Sequence, residues 1–263
     1  MKLTFLGTGT SFGIPVIGCA CRVCRSDDPR DRRTRHGALL TFEEGRILVD
    51  TPPELRLQLV REGVESLTAV WFTHPHADHL HGIDDLRIFT SIQQQDLPAF
   101  VPVGYEDTLR RRFRYIFDES VTVPDGTVKP EIRLRPYGPG EELAILGRTF
   151  HPVRVPHGPL SVFGFRVGGL GYVTDGKSLP PETLEVLDGV DVLVLNALWF
   201  GDPHPTHFNV EEAVEAAGRV GARRTYLTHL THQVGHRELL RELPEGIEPA
   251  YDGLEVEISE KCR

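Results

Sequence analysis

Residues Thr73-His74-Pro75-His76-Ala77-Asp78-His79 follow directly on the apolar run Ala69-Val70-Trp71-Phe72. The apolar run reads as a strand that hands over to a loop. At extended spacing His74 and His76 point the same way, while Asp78 and His79 turn the other way. One short loop therefore offers ligands in two directions, enough for two neighbouring metal ions. Pro75 keeps His74 extended and out of helix, which sets the direction of the first ligand. Neutral imidazole and carboxylate suit zinc, manganese or iron. The plain alternative is a histidine-rich surface loop, but 12 histidines spread over 263 residues seldom collect at this spacing.

Length and composition bound the rest. A chain of 263 residues with 40% hydrophobic and 25% charged residues describes a soluble globular protein with a substantial core, read here as one domain over 1–263. A net charge of -9 disfavours a sequence-independent grip on long nucleic acid, which needs cationic surface. Arg110-Arg111-Arg112 with Arg114 form a local basic patch, suited to a phosphate contact or simply to a solvated helix face. The start, Met1-Lys2-Leu3-Thr4-Phe5-Leu6-Gly7, has too short an apolar run for a secretory signal. No apolar segment reaches membrane-spanning length, since even Val190 to Phe200 contains Asp191 and Asn196. A cytoplasmic protein without a membrane partner is expected, and a homodimer is compatible with everything in the sequence.

Taken in order, Leu3 to Leu6 reads as a strand entering Gly7-Thr8-Gly9-Thr10-Ser11, a turn-forming loop whose amides and hydroxyls suit an anion, or a plain turn. Cys19-Ala20-Cys21-Arg22-Val23-Cys24 follows. Three thiols this close cannot all pair with one another, so thiolate ligation of a structural zinc is the natural reading, ahead of a redox cluster. The fourth ligand comes from Cys262 or a histidine, and the cysteine-rich loop is taken to run over 19–36, its basic stretch Arg25 to His36 exposed.

From Gly37 a strand, turn and strand lead to Asp50, then Pro52-Pro53-Glu54 opens a helix with Leu55, Leu59 and Val60 on its apolar stripe. Asp50 either orders a ligating histidine from behind or caps that helix. Residues 82–118 read as a helical insertion able to cover the site, and 121–150 as strands and loops. Strands over Arg148–Val155, Ser161–Val167, Gly171–Thr174, Asp191–Leu195 and Arg224–Leu227 alternate with helices Pro181–Leu187 and Val210–Val220. Mixed sheets packed under helices, an α/β class, follow from that order. Asp50, His74, His157, Asp175 and His229 each fall just past a strand end, which gathers them into one site.

With these residues in place, the chain resembles the metallo-β-lactamase fold superfamily, an αββα sandwich of two mixed sheets flanked by helices with a dinuclear metal site. The resemblance runs from the opening strand and its loop to His229. It implies that His74, His76 and His157 hold one metal, that Asp78, His79 and His229 hold the other, and that Asp175 bridges them; both metals are expected to be zinc or manganese. The cysteine insertion looks like that of the phosphonate-pathway cyclic phosphodiesterases, which act on phosphoribosyl 1,2-cyclic phosphate. That likeness implies one structural zinc on Cys19, Cys21, Cys24 and His232, making Cys262 the weaker candidate. It also implies a catalytic histidine between Asp175 and His229, for which His207 is the candidate and His204 its rival, beside Asp78 among the ligands.

The expected function is a metal-dependent phosphodiesterase acting on a small phosphodiester, cyclic or linear, through metal-activated hydroxide. A lactone or thioester hydrolase fits the same ligands, because fold does not settle function. An RNA 3′-processing nuclease ranks lower for want of a basic, glycine-rich arm. A non-catalytic metal-binding sensor or interaction module is the reading from outside enzymology.

Overall fold

The structure, a computed structural model, describes residues 1–259; Cys262 lies outside the described residues. The first half contains β1 (Lys2–Gly7), β2 (Gly37–Phe42), β3 (Gly45–Val49), α1 (Leu55–Arg61), β4 (Ala69–Trp71), α2 (Ala77–Leu80), α3 (Arg87–Gln93), β5 (Leu97–Pro102), α4 (Glu106–Arg112), α5 (Arg114–Phe117) and β6 (Ile132–Tyr137). The second contains β7 (Leu143–Ile145), β8 (Arg148–His157), β9 (Leu160–Val167), β10 (Leu170–Tyr172), α6 (Pro181–Leu187), β11 (Val192–Asn196), α7 (Val210–Val220), β12 (Arg224–Thr228), α8 (His236–Glu242) and β13 (Ile247–Pro249), and the chain returns as β14 (Glu255–Glu257).

Two seven-stranded sheets result, ordered β14-β1-β2-β3-β4-β5-β6 and β13-β12-β11-β10-β9-β8-β7. In each, antiparallel neighbours give way to parallel ones where helices intervene: β3, β4, β5 and β6 pair in parallel, as do β10, β11, β12 and β13. This is the αββα sandwich expected. Burial on both faces explains it, because consecutive apolar residues point to opposite sides. Val192 and Val194 join the core between the sheets while Leu193 and Leu195 face the second helical layer. Phe5, Ile47 and Val49 likewise face inward, and Leu6 and Leu48 pack under the helices of the first layer.

Trp71 is the centre of the inner core. It is fully buried, its ring centroid lies 4.4 Å from Tyr137 and 5.0 Å from Phe165, and its Nε1 donates to the Phe163 carbonyl at 3.2 Å. The Phe163 amide in turn donates to the Thr73 carbonyl at 3.1 Å. The two sheets are thus clasped immediately before the histidine motif.

Two sequence expectations need correction. Residues 82–118 carry α3, α4 and α5 but are not helical throughout, because β5 runs through them as an inner strand of the first sheet, paired with β4 and β6. Its alternating buried residues Leu97, Ala99 and Val101 form the strand pattern that Pro98 and Pro102 mask. On α1 the buried stripe is Leu55, Gln58 and Leu59, whereas Val60 is 70% exposed. Gln58 wins the inner position because its side-chain amide donates to Thr34 Oγ1 and to the Arg35 carbonyl, both at 2.8 Å.

Replacing Trp71 with alanine is expected to cost about 3–5 kcal/mol, from lost burial and the cavity left behind, and to lower the melting temperature by about 10 °C. Calorimetry checks it; a shift within 2–3 °C would mean the clasp is not central.

Candidate active site

The strands of both sheets end along one edge of the sandwich, and the site lies there. β3 ends at Val49 and delivers Asp50, β4 delivers Thr73 and His74, β8 ends in His157, β10 delivers Asp175 and β12 delivers His229. Asp50, Asp175 and His229 adopt left-handed backbone conformations, with φ of 62°, 55° and 57°. Such angles are uncommon outside glycine and cost on the order of 1–3 kcal/mol each, strain that concentrates where side chains must be aimed. His76 is still extended and forms the N-cap of α2, whose first turn turns Asp78 and His79 inward.

The sequence-assigned residues converge into two groups. In the first, His76 Nδ1 lies 2.9 Å from His74 Nε2 and 3.3 Å from His157 Nε2. Ligands about 2.0–2.1 Å from a tetrahedral zinc stand roughly 3.3 Å apart, so this spacing fits an ion between them. In the second, His79 Nε2 lies 3.4 Å from Asp78 Oδ2 and 3.2 Å from Asp175 Oδ2, and His229 Nε2 lies 3.4 Å from Asp175 Oδ1. Asp175 Oδ2 is also 3.6 Å from His74 Nε2, so its carboxylate stands between the groups. Nε2 of His79 and both ring nitrogens of His229 are buried without hydrogen-bond partners. Buried imidazole nitrogens are normally satisfied, and a cation would satisfy those facing the carboxylates.

Partners behind the ligands hold most of them in place. Asp50 Oδ2 lies 2.7 Å from His79 Nδ1 and accepts from Thr73 Oγ1, while its Oδ1 accepts from the Thr73 amide at 2.8 Å. It therefore supports the ligand set from behind and does not cap α1, whose N-cap is Glu54. His74 Nδ1 contacts Thr73 Oγ1 at 3.0 Å, and His157 Nδ1 contacts the Thr206 carbonyl at 3.2 Å.

Burial drives the imidazoles of His74 and His157 below their ordinary range, keeping the neutral form that binds metal. His79 goes the other way: burial opposes its charge, but Asp175, Asp78 and Asp50 outweigh burial and hold it well above. Burial likewise works against ionised Asp175, yet the His229 and His79 imidazoles keep its carboxylate well below the usual range. The pocket is therefore built around compensated negative charge.

A third group lies outside this edge. Sγ of Cys19, Cys21 and Cys24 stand 3.3, 3.4 and 3.6 Å from His232 Nδ1. Thiolate and imidazole ligands of a tetrahedral zinc have this separation, so of the fourth ligands considered the structure brings His232.

His207 also reaches the centre, its Nε2 3.6 Å from Asp175 Oδ2 and its ring stacked on that of His229 at 5.1 Å. His204 sits behind it. Its Nδ1 contacts His207 Nδ1 at 3.3 Å and Thr206 Oγ1 at 3.2 Å, and its ring packs against Trp199. A cleft of about 270 Å³ opens onto His76, Asp78, His157, Asp175, His207 and His229, with Ser11, Pro159, Leu160 and Thr206 completing its lining.

Two other sequence readings change, and a third resolves to one of its alternatives. The amides of Thr8, Gly9 and Thr10 are already taken by Asp252 Oδ1, the Thr34 carbonyl and the Leu230 carbonyl, so they do not form an anion cradle, and only Ser11 of that loop reaches the cleft. The stretch Arg25 to His36 is not wholly exposed, since Asp31, Arg33 and His36 are buried. Arg33 is held inside by Thr8 Oγ1 at 2.8 Å and the Ala250 carbonyl at 2.5 Å. Of the two readings of the arginine patch, the solvated helix face holds: Arg110, Arg111, Arg112 and Arg114 are all exposed, with Arg110 over Phe117, Arg111 donating to Thr108 and Arg114 paired with Asp118. Arg112, read from sequence only as part of that patch, also donates to the Pro75 carbonyl and ties α4 to the histidine loop.

Comparison with known proteins agrees with this geometry. Residues 45–230 match the family model described as a beta-lactamase superfamily domain. A crystal structure described as a new diphosphatase from the PhnP family is 38% identical with a TM-score of 0.89, covering 97% of this chain and 96% of that one. An octanoyltransferase of Porphyromonas gingivalis is 38% identical over 263 residues, 99% of this chain but 52% of its own length. The chain thus spans about half of that relative. A ribonuclease Z of Mycobacterium is 27% identical over 254 residues, 87% of this chain and 84% of its own. A ligand-lined strand edge, a two-sheet sandwich and these matches together place the chain in the metallo-β-lactamase superfamily, where it is PhnP-like.

Proposed function

We propose that the protein is a metal-dependent phosphodiesterase acting on a small phosphodiester, cyclic or linear. The observation that carries this reading is the Asp175 carboxylate standing between an all-histidine group and an aspartate–histidine group, both opening into one small cleft. His74, His76 and His157 would hold one divalent ion, Asp78, His79 and His229 a second, with Asp175 shared. Zinc or manganese there would supply an acidified water and charge neutralisation for phosphoryl oxygens in an in-line displacement. Cys19, Cys21, Cys24 and His232 would hold a third ion, a structural zinc, as suits thiolates in a reducing compartment such as the cytoplasm.

The chain's own groups divide the remaining work. Asp78 and Asp175 supply the negative charge that draws cations to the edge. His207, kept below its ordinary range by burial and positioned against Asp175, is placed to bind a phosphoryl oxygen or pass a proton to the departing alkoxide. His204 steadies His207 from behind through Thr206. A cleft of about 270 Å³ suits a small substrate, and the net charge of -9 counts against a long RNA, which ranks the ribonuclease reading below this one despite its 27% identical relative. The diphosphatase relative also supports phosphoryl chemistry.

A second reading has one observation in its favour, the octanoyltransferase relative, half of which this chain matches. Acyl ester or thioester hydrolysis would use the same ligands. Parallel assays of the metal-loaded protein on a cyclic sugar phosphate, a chromogenic phosphodiester and an acyl thioester separate the two. Turnover confined to the phosphodiesters is expected; turnover confined to the thioester would reverse the ranking, and inactivity on all three would favour a non-catalytic metal-binding module.

Replacing His207 with glutamine is expected to lower kcat by about 10²–10⁴-fold with metal content unchanged, measured by steady-state kinetics beside elemental analysis. Unaltered kcat would remove His207 from the mechanism. Replacing Cys24 with serine should remove one metal ion per chain and lower the melting temperature while both edge ions stay bound. Loss of edge ions instead would show that the cysteine group is not an independent site.

A further inference from the structure

Among the four ligand histidines whose rings are nearly sealed from solvent, three have their non-ligating nitrogen held: His79 by Asp50, His74 by Thr73 and His157 by the Thr206 carbonyl. His229 differs. Its Nδ1 is buried without a hydrogen-bond partner, and its backbone sits at the left-handed φ of 57°. What confines its ring is other rings: His207 stacks at 5.1 Å and His79 at 6.0 Å, and His36 meets it edge-on at 6.1 Å with an interplanar angle of 60°.

Of these three, His36 belongs to neither the ligand set nor the cleft. It is fully buried at the start of the stretch leading into β2. Its Nε2 lies 2.6 Å from the Tyr172 hydroxyl and its Nδ1 3.2 Å from Thr228 Oγ1. Both ring nitrogens are thereby used, and the ring is locked to the last residue of β10 and the last residue of β12. Those strands deliver Asp175 and His229. The other face of His36 lies against His79, at 5.6 Å between centroids. Its ring contacts with the ligands fall on the aspartate–histidine group, whereas His74 packs against His76, His79 and His157.

We infer that His36 is a positioning residue for one half of the site: locked between Tyr172 and Thr228, it sets the ring of His229 and so governs affinity for the ion held by Asp78, His79 and His229. The inference rests on the two-ion reading of the strand edge. Removing support behind a metal-ligating histidine typically weakens the metal 10–100-fold, and here the loss is confined to one of the two edge ions.

The test is a stepwise chelator titration of full-length, metal-loaded protein, following release of each ion. His36→Phe keeps an aromatic ring, somewhat larger than imidazole, and removes both hydrogen bonds; it should weaken one edge ion about 10–100-fold, leaving the other edge ion and the cysteine-bound ion at wild-type affinity. Activity should fall at limiting free metal and recover when metal is supplied in excess. Tyr172→Phe, which deletes only the hydroxyl, should weaken the same ion several-fold, and His36→Gln, able to contact Tyr172 or Thr228, should restore part of the affinity. These two variants carry the test if His36→Phe fails to fold. Equal weakening of both edge ions, or wild-type affinity for both in every folded variant, overturns the inference. Wild-type protein that binds fewer than two ions at the edge overturns the two-ion reading itself.

Discussion

Three carboxylates, Asp50, Asp78 and Asp175, are each no more than 9% exposed at one end of the sandwich, and the structure depends on how their charge is compensated. Burying an unpaired carboxylate costs several kcal/mol, so charges placed here persist only with partners of opposite sign and directed hydrogen bonds. Asp50 is satisfied within the chain, by Thr73 and His79. Asp78 and Asp175 face imidazole nitrogens of His79 and His229 that lack hydrogen-bond partners, an arrangement that bound cations would satisfy. The clasp through Trp71, the left-handed turns at Asp50, Asp175 and His229, and the anchoring of the histidine loop by Arg112 all serve to hold that concentration of charge in place.

Much of this was legible in sequence because it is local. Unbroken apolar runs in β3 and β11, helices starting at Pro181 and Val210, and the spacing of His74, His76, Asp78 and His79 each depend on a few neighbouring residues. Asn209 illustrates it, capping α7 by accepting from the Glu212 amide while Glu212 returns a bond to the Asn209 amide. What was hidden depends on partners far along the chain. His36 ends a polar, arginine-rich stretch and reads as surface, yet Tyr172 and Thr228, more than 130 residues away, bury it. The Thr8 and Thr10 amides look available to an anion until Asp252 and Leu230 arrive to occupy them. β5 carries two prolines and passes for loop or helix until its parallel neighbours supply the ladder.

The division between fold and substrate follows the same line. The proposed ligand residues sit at or just past strand ends of the sandwich, where the His/Asp groups that could hold metal are gathered. Ser11, Pro159, Leu160 and Thr206 line the cleft without belonging to the proposed ligand set. Relatives described as a diphosphatase and a ribonuclease Z share most of this chain, as one fold serving different substrates can.

The central claim is that residues from both sheets build two adjacent cation positions about one carboxylate. Anomalous diffraction from crystals grown with zinc or manganese, collected across the metal absorption edge, tests it most directly. The account predicts two peaks about 3.5–4 Å apart, one among His74, His76 and His157 and one among Asp78, His79 and His229, with Asp175 touching both. A single peak at the edge, or peaks that leave Asp175 or His229 uncoordinated, would contradict it.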